Sequence, residues 1–184
     1  MTASTPSSRL RTLDLTYIAL FAILIAVCAW ISIPFTIPFT LQTFAIFMAL
    51  TTLGGRRGTF AVVVYLLLGA VGLPVFAGFK GGLGVLLGTT GGYIIGFLAS
   101  ALVYWLVTAK LGDSVPVKVI ACGLGLAVCY IFGTAWFLVV YAKTTGPIGL
   151  VTALGWCVFP FILPDLVKLA LALLVSMRVR QHLQ

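Results

Sequence analysis

Between residues 15 and 177 the chain is a succession of apolar runs, most of them long enough to cross a hydrocarbon layer about 30 Å thick as helix. Lipid offers no partner to a bare backbone N–H or C=O, so runs of this kind satisfy themselves as helices. Only 8% of the residues are charged and 62% are hydrophobic, with a mean hydropathy of +1.24. A soluble domain carries about a quarter charged residues, so the soluble classes drop out. The runs fall at 15–33, 41–53, 59–72, 91–108, 119–141 and 148–177, which predicts six helices. The second is short for a full crossing unless it begins within the preceding loop or the protein is thinner there. The fold class expected is an all-α integral membrane protein, a compact six-helix bundle over residues 13–178. A polar segment, 1–12, precedes it and a short tail, 179–184, follows.

Charge gives the orientation. The net charge is +8, but the basic residues are thin, dispersed and placed between oily runs, without the basic and aromatic clustering of a nucleic-acid module. With the amino terminus in the cytoplasm, Arg9, Arg11, Arg56, Arg57, Lys110, Lys118, Arg178 and Arg180 fall on the cytoplasmic side and only Lys80 and Lys143 outside. Both termini are then cytoplasmic, and the loop between the third and fourth runs is external. The first run lacks a small-x-small cleavage context and reads as a retained helix rather than a signal peptide. Cys28, Cys122, Cys129 and Cys157 have no CxxC spacing and read as small packing residues.

Against this apolar background one acid–base pair stands out. Asp165 and Lys168, in the segment PDLVK, lie three residues apart in the sixth run and share a helix face. An ionisable residue at membrane depth faces a bundle interior, a cavity or a partner and marks a functional site by default. A structural ion pair is the competing reading. Pro160 and Pro164 bend this helix or free carbonyls near the pair, and Trp156 and Phe159 supply apolar area on the approach or form an interface belt.

Three further stretches bear on a site. Pro34 and Pro38 interrupt helix in SIPFTIPFT, and Gln42 follows, its amide available to a polar ligand or to water at the helix end. Residues 72–93 hold eight glycines with Pro74, Lys80 and Tyr93. That density allows close backbone approach to a ligand, as a lid or cavity lining, with a compact external linker as the alternative. The stretch does not match a phosphate loop. In the first run Ala19, Ala22, Ala26 and Ala29 form a smooth stripe, suited to close contact within the bundle or to docking a separate subunit. Together these residues describe an outward-accessible pocket with one carboxylate, one ammonium, an amide and aromatic walls. It suits a small amphipathic solute with an amide-like or ureido group.

The segments PFTIPFTLQTFAIF, GLPVFAG, GTTGGYIIGF and FPFILPDLVK, spread over nearly the whole chain, resemble the BioY family, the biotin-binding substrate components of energy-coupling-factor transporters. The resemblance implies a compact six-helix protein in the cell membrane that takes biotin from outside without an intrinsic cofactor or metal. It assigns Asp165 and Lys168 to the ureido end and Gln42 to the pocket. A polar position of the glycine loop falls on Lys80, and the position after GGY, basic in some relatives, is Ile94 here. By the same resemblance, Lys80 is the candidate to take over that contact to the valerate carboxylate, with Tyr93 lining the ring. The resemblance also implies that Ala19, Ala22 and Ala26 dock to a transmembrane coupling subunit, which works with two ATP-binding subunits. The residues alone leave open a self-contained secondary carrier coupled to protons. An intramembrane enzyme built on Asp165 lacks a second carboxylate, a His-rich metal set or a Ser/His/Asp arrangement to work with.

Overall fold

Helices in this protein stop where glycine or proline interrupts the apolar runs, and those interruptions shape the site. The computed structural model describes residues 12–34 and 36–183, with side chains as far as residue 179. The expected amino-terminal segment with Arg9 and Arg11, and the side chain of Arg180, lie outside the described residues. The helices are α1 (Thr12–Trp30), α2 (Gln42–Leu53), α3 (Gly55–Ala70), α4 (Leu83–Leu87), α5 (Gly91–Leu111), α6 (Val115–Thr144), α7 (Leu150–Cys157) and α8 (Phe159–Leu183). Two short strands, β1 (Ser32–Ile33) and β2 (Phe39–Thr40), lie between α1 and α2. Among the described residues, four spans are long and apolar enough to cross a membrane: Thr12–Trp30, Gly91–Leu111, Val115–Thr144 and Leu150–Val179. The protein is an all-α, multi-pass membrane protein.

The proline segment, which interrupts helix as expected, is flanked by a short two-stranded ribbon. β1 and β2 pair antiparallel, Ser32 with Thr40 and Ile33 with Phe39, and Leu41 N donates to Ile31 O at 3.2 Å. The ribbon delivers the chain to α2, a helix of 12 residues, about 18 Å long. Nine of its residues are buried, from Gln42 at its start to Leu53 at its end. A helix apolar on all sides belongs at the centre of a bundle, and α2 packs against α1, α3, α5 and α8. Its short length leaves the bundle hollow beyond Gln42. At its other end Gly54, with φ of 81°, is the single residue joining α2 to α3, a conformation that L side chains rarely adopt.

α5 and α6 share the most extensive helix–helix contact among the described elements. A methyl group added at Gly96 or Gly125 would run into Cys129 or Ser100 of the facing helix, the close approach that small residues permit in lipid. The helix ends are tied in register. Arg57 Nη2 meets Asp14 Oδ1 at 2.9 Å, joining the starts of α3 and α1, while Trp30 Nε1 donates to Pro74 O at 2.8 Å and joins the end of α1 to the glycine-rich loop.

Two expectations are corrected. The sixth run is not one bent helix: α7 ends at Cys157, Val158 leaves helical geometry with φ −126° and ψ −59°, and α8 starts anew at Phe159. Pro160 sits in the first turn of α8, where its missing N–H costs nothing, and Pro164 within the helix cannot donate to the Pro160 carbonyl. The second correction concerns the alanine stripe. Ala22 and Ala26 are 1% and 5% exposed and belong to the chain's own core, where α1 packs on α2 and α3. Of the three docking residues expected, Ala19 alone is exposed.

Candidate functional site

The hollow beyond α2 is a cavity of about 450 Å³. Thr36, Ile37, Pro38 and Thr40 of the ribbon form one wall, Phe76, Lys80 and Val85 of the glycine-rich loop and α4 another, and Tyr93, Ile94 and Phe97 of α5 a third, with Gln42 at the floor. Phe76 is the loop's anchor. It is 1% exposed, meets Tyr65 edge-on with ring centroids 5.6 Å apart, and fills the space that a side chain at Gly69 would need. Behind the floor, Gln42 Nε2 donates to Tyr65 OH at 3.0 Å, so part of the amide is held in place by α3.

A second, smaller pocket of about 50 Å³ shares Ile37, Pro38, Thr40, Tyr93 and Phe97 with the main cavity and reaches Asp165 and Lys168. These two are 2% and 5% exposed. Lys168 Nζ lies 2.9 Å from Asp165 Oδ1 and also donates to Thr40 O at 2.7 Å. Its ammonium sits 4.1 Å from the centroid of the Phe39 ring, a cation–π position. Thr43 Oγ1 donates to Asp165 Oδ1 at 2.8 Å and Tyr130 OH to Asp165 Oδ2 at 2.6 Å. Opposite charges in contact keep the buried site formally neutral, and the hydroxyls supply the bonds that desolvation would otherwise remove. Chemically, the arrangement presents a carboxylate acceptor and an ammonium donor side by side, next to a mostly apolar chamber. Such an arrangement suits a polar group carrying both N–H and C=O, on a body sized to the larger cavity.

The sequence comparisons agree with this geometry. A family model described as the BioY family matches residues 2–184. The chain belongs to the BioY family. It is 42% identical over 165 residues to the biotin transporter BioY of Thermotoga maritima, covering 88% of this chain and 92% of that protein. It is 38% identical over 168 residues to the probable biotin transporter BioY of Pyrococcus horikoshii, covering 91% and 96%. Its structure is similar to the crystal structure at 2.1 Å of the S-component for biotin from an ECF-type ABC transporter, with a TM-score of 0.82, 28% identity, and coverage of 96% of this chain and 95% of that one.

In this BioY-family chain the residues singled out from the sequence divide between two chambers. Gln42, Lys80 and Tyr93 line the large cavity, whereas Asp165 and Lys168 line the small one, with Tyr93 common to both. Tyr93 OH is bonded to Thr134 Oγ1 at 2.8 Å, so its ring, not its hydroxyl, faces the shared wall. Lys80 is exposed, on the loop side of the cavity. Trp156 and Phe159 do not line either chamber; Trp156 packs edge-on against Tyr141 and both are exposed.

Sequence reasoning missed Thr43, Tyr130, Tyr65 and Phe39. Gln42 and Thr43 are adjacent and therefore point apart, one to Tyr65 and the other to Asp165. Tyr130 did carry a signal: a tyrosine deep in an apolar run needs a partner for its hydroxyl. The Thr40 carbonyl and the Phe39 ring carried none, because their use depends on the fold of the ribbon.

Proposed function

We infer that the protein is the biotin-binding S-component of an ECF-type transporter, a membrane transport protein that binds its solute without covalent chemistry. The observation that carries this reading is the buried Asp165–Lys168 pair at the edge of a roofed apolar cavity in a chain matched end to end by the BioY family. The ureido ring goes to the pair, where Asp165 accepts an N–H and Lys168 donates to the carbonyl oxygen. The fused rings lie against Tyr93 and Phe97, and the valerate tail runs toward Lys80 at the mouth. Gln42 contacts the ring system from the floor.

In the membrane, α1, α2, α3, α5, α6 and the α7–α8 pair make six crossings, with both termini cytoplasmic and the glycine-rich loop outside. The distribution of Lys and Arg supports this orientation. The Asp14–Arg57 and Trp30–Pro74 contacts, at opposite ends of α1, agree with it. Inward delivery requires a transmembrane coupling subunit and two ATP-binding subunits. The coupling subunit docks along the outer face of α1, where Ala19, Leu20, Ile23 and Val27 are exposed, in place of the enclosed Ala22 and Ala26.

Calorimetric titration with biotin tests the binding assignment. Asp165→Ala or Lys168→Ala should each cost at least about 2 kcal/mol of binding, because each leaves a buried polar partner unmatched. Unchanged affinity in both variants would remove the assignment. Vesicle uptake by this chain alone, with and without a proton gradient, separates a binding component from a self-contained carrier. The S-component reading expects no accumulation in either case.

A further inference from the structure

A groove of about 520 Å³ lies on the lipid-facing surface, between α6 and the α7 end of the last span. α6 lines it from Ala127 to Leu138 at steps of three and four residues, which is one face of the helix. Leu150, Leu154 and Val158, at four-residue steps, line it opposite. Ala127, Ile131, Ala135 and Leu150 are exposed, and both walls belong to spans long and apolar enough to cross a membrane. Lipid hydrocarbon is therefore what meets the opening.

The size suits one acyl chain. The rise from Ala127 to Leu138 is about 16 Å, half of a hydrocarbon core about 30 Å thick. A second helix fits less well. Helices approach closely over small residues, but Ile131, 71% exposed, projects between Ala127 and Ala135 on the same face. A flexible chain bends past it. The floor carries two hydroxyl residues, and both hydroxyls are engaged on the ligand-site side: Tyr130 OH donates to Asp165 Oδ2 at 2.6 Å, and Thr134 Oγ1 is bonded to Tyr93 OH at 2.8 Å. The polar atoms of the floor are thus bonded within the protein, and mainly carbon faces the groove.

We propose that this groove binds one acyl chain of a membrane lipid, and that the chain backs the ligand site through Tyr130. Tyr130 lines both the groove and the small pocket at Asp165 and Lys168, so the wall between them is one side chain thick. With the groove empty, its ring has room to move outward, away from Asp165. A chain in the groove fills that room and holds the phenol against the carboxylate. Chain and solute then favour the same position of Tyr130, which couples the two sites, each raising the other's affinity by the same factor. The acyl-chain site stands on the groove alone, whereas the coupling rests on the biotin-binding reading above.

The test uses the full-length protein in a steroid-based detergent, whose rigid fused rings cannot follow a groove shaped for a chain. Phosphatidylcholine with a diazirine in one acyl chain is titrated in and photolysed, and its adducts are mapped by peptide mass spectrometry. Labelling of residues 127–138 and 150–158 should saturate, whereas labelling of the exposed α8 face at Leu163, Val167 and Leu174 should rise in proportion to lipid. Proportional labelling on both faces would mean ordinary boundary lipid and would overturn the site. Ala127→Leu with Ala135→Leu fills the groove and should remove the saturable part while leaving the α8 labelling unchanged; saturation that persists in the folded variant would overturn the site as well. If the variant does not fold, the contrast between the two faces of the wild-type protein decides. Saturating biotin should lower the half-saturating lipid concentration about fivefold, and a half-saturation unmoved by bound biotin would overturn the backing role. Biotin binding is titrated separately in the same detergent. Its absence there would remove the biotin reading and leave the acyl-chain site to the saturation result.

Discussion

Lys168 on α8 donates to the main-chain carbonyl of Thr40 at 2.7 Å while holding Asp165 at 2.9 Å, so one ammonium fastens the last helix to the ribbon ahead of α2. On the biotin-binding reading proposed above, ligand recognition and the closure of the bundle at this end share a single side chain. Lys168→Met would strand a carboxylate that is 2% exposed, a defect that costs about 3–5 kcal/mol. The double variant Asp165→Asn, Lys168→Met should recover most of that loss, since a neutral amide can still bond Thr43 and Tyr130. Neither variant should bind biotin. Thermal unfolding in detergent, with and without biotin, checks both statements: the double variant should melt near the wild-type temperature but show no shift on adding ligand.

A second dependence runs through the floor of the cavity. Gln42 is 4% exposed and Tyr65 is fully buried, and the 3.0 Å bond between them fixes the amide at the floor of the cavity. Tyr65→Phe leaves a buried amide donor without this partner, at a cost of about 1–3 kcal/mol in stability. Affinity for biotin should fall with it, because Gln42 is no longer oriented. Gln42→Leu together with Tyr65→Phe should be more stable than Tyr65→Phe alone, since both polar groups are gone. Chemical or thermal unfolding of the three proteins reads the difference, and the opposite order of stabilities would show that the amide finds another partner.

Lys80 offers a charge rather than a shape. It is exposed on the loop that roofs the cavity, so solvent weakens its attraction for a carboxylate to about 1 kcal/mol or less. Lys80→Ala should accordingly weaken biotin binding by only about threefold to fivefold, with the loss fading at high salt. Biotin methyl ester, which lacks the negative charge, should bind the wild-type protein and the variant equally. Titrations of both ligands at two salt concentrations test this. A loss of the same size for the ester would assign Lys80 to holding the loop and leave the carboxylate to another group.

The parts of the fold that depend on long-range solvation were legible in the sequence. Apolar length located the helices, and the rarity of charge made Asp165 and Lys168 conspicuous before any coordinates, because hydrocarbon penalises an isolated ion wherever it lies. What could not be read was the outcome of competition among similar local signals. The proline run read as a turn or partly inserted loop, and nothing local in it announced the pairing of Ser32 with Thr40. The alanine stripe could have faced a partner or the chain itself, and a one-dimensional pattern does not say which neighbour arrives first. Thr43 and Tyr130 stayed hidden for a related reason: a hydroxyl becomes part of a site only when folding brings a carboxylate to it, here across 122 and 35 residues.

The roof of the cavity is fastened by two indoles, and this sets an expectation for how fast ligand leaves. Trp30 Nε1 donates to Pro74 O at 2.8 Å at the start of the loop, with its ring stacked on Phe79 at 5.0 Å between centroids. Trp136 Nε1 donates to Gly88 O at 2.9 Å at its end. Phe76, Lys80 and Val85, all cavity-lining, lie between these two bonds. If biotin leaves by displacement of this segment, each indole bond contributes to the barrier. Phenylalanine at either position keeps an aromatic ring but removes a bond worth about 0.5–1.5 kcal/mol, so each single variant should release biotin about two- to tenfold faster. The two bonds sit at opposite ends of the loop and share no partner, so their effects on the barrier should add in the double variant. Chasing bound radiolabelled biotin with excess unlabelled ligand measures the rate directly. An unchanged rate in the double variant would mean that release does not pass through this loop, and would direct attention to the side of the cavity walled by Tyr93 and the ribbon.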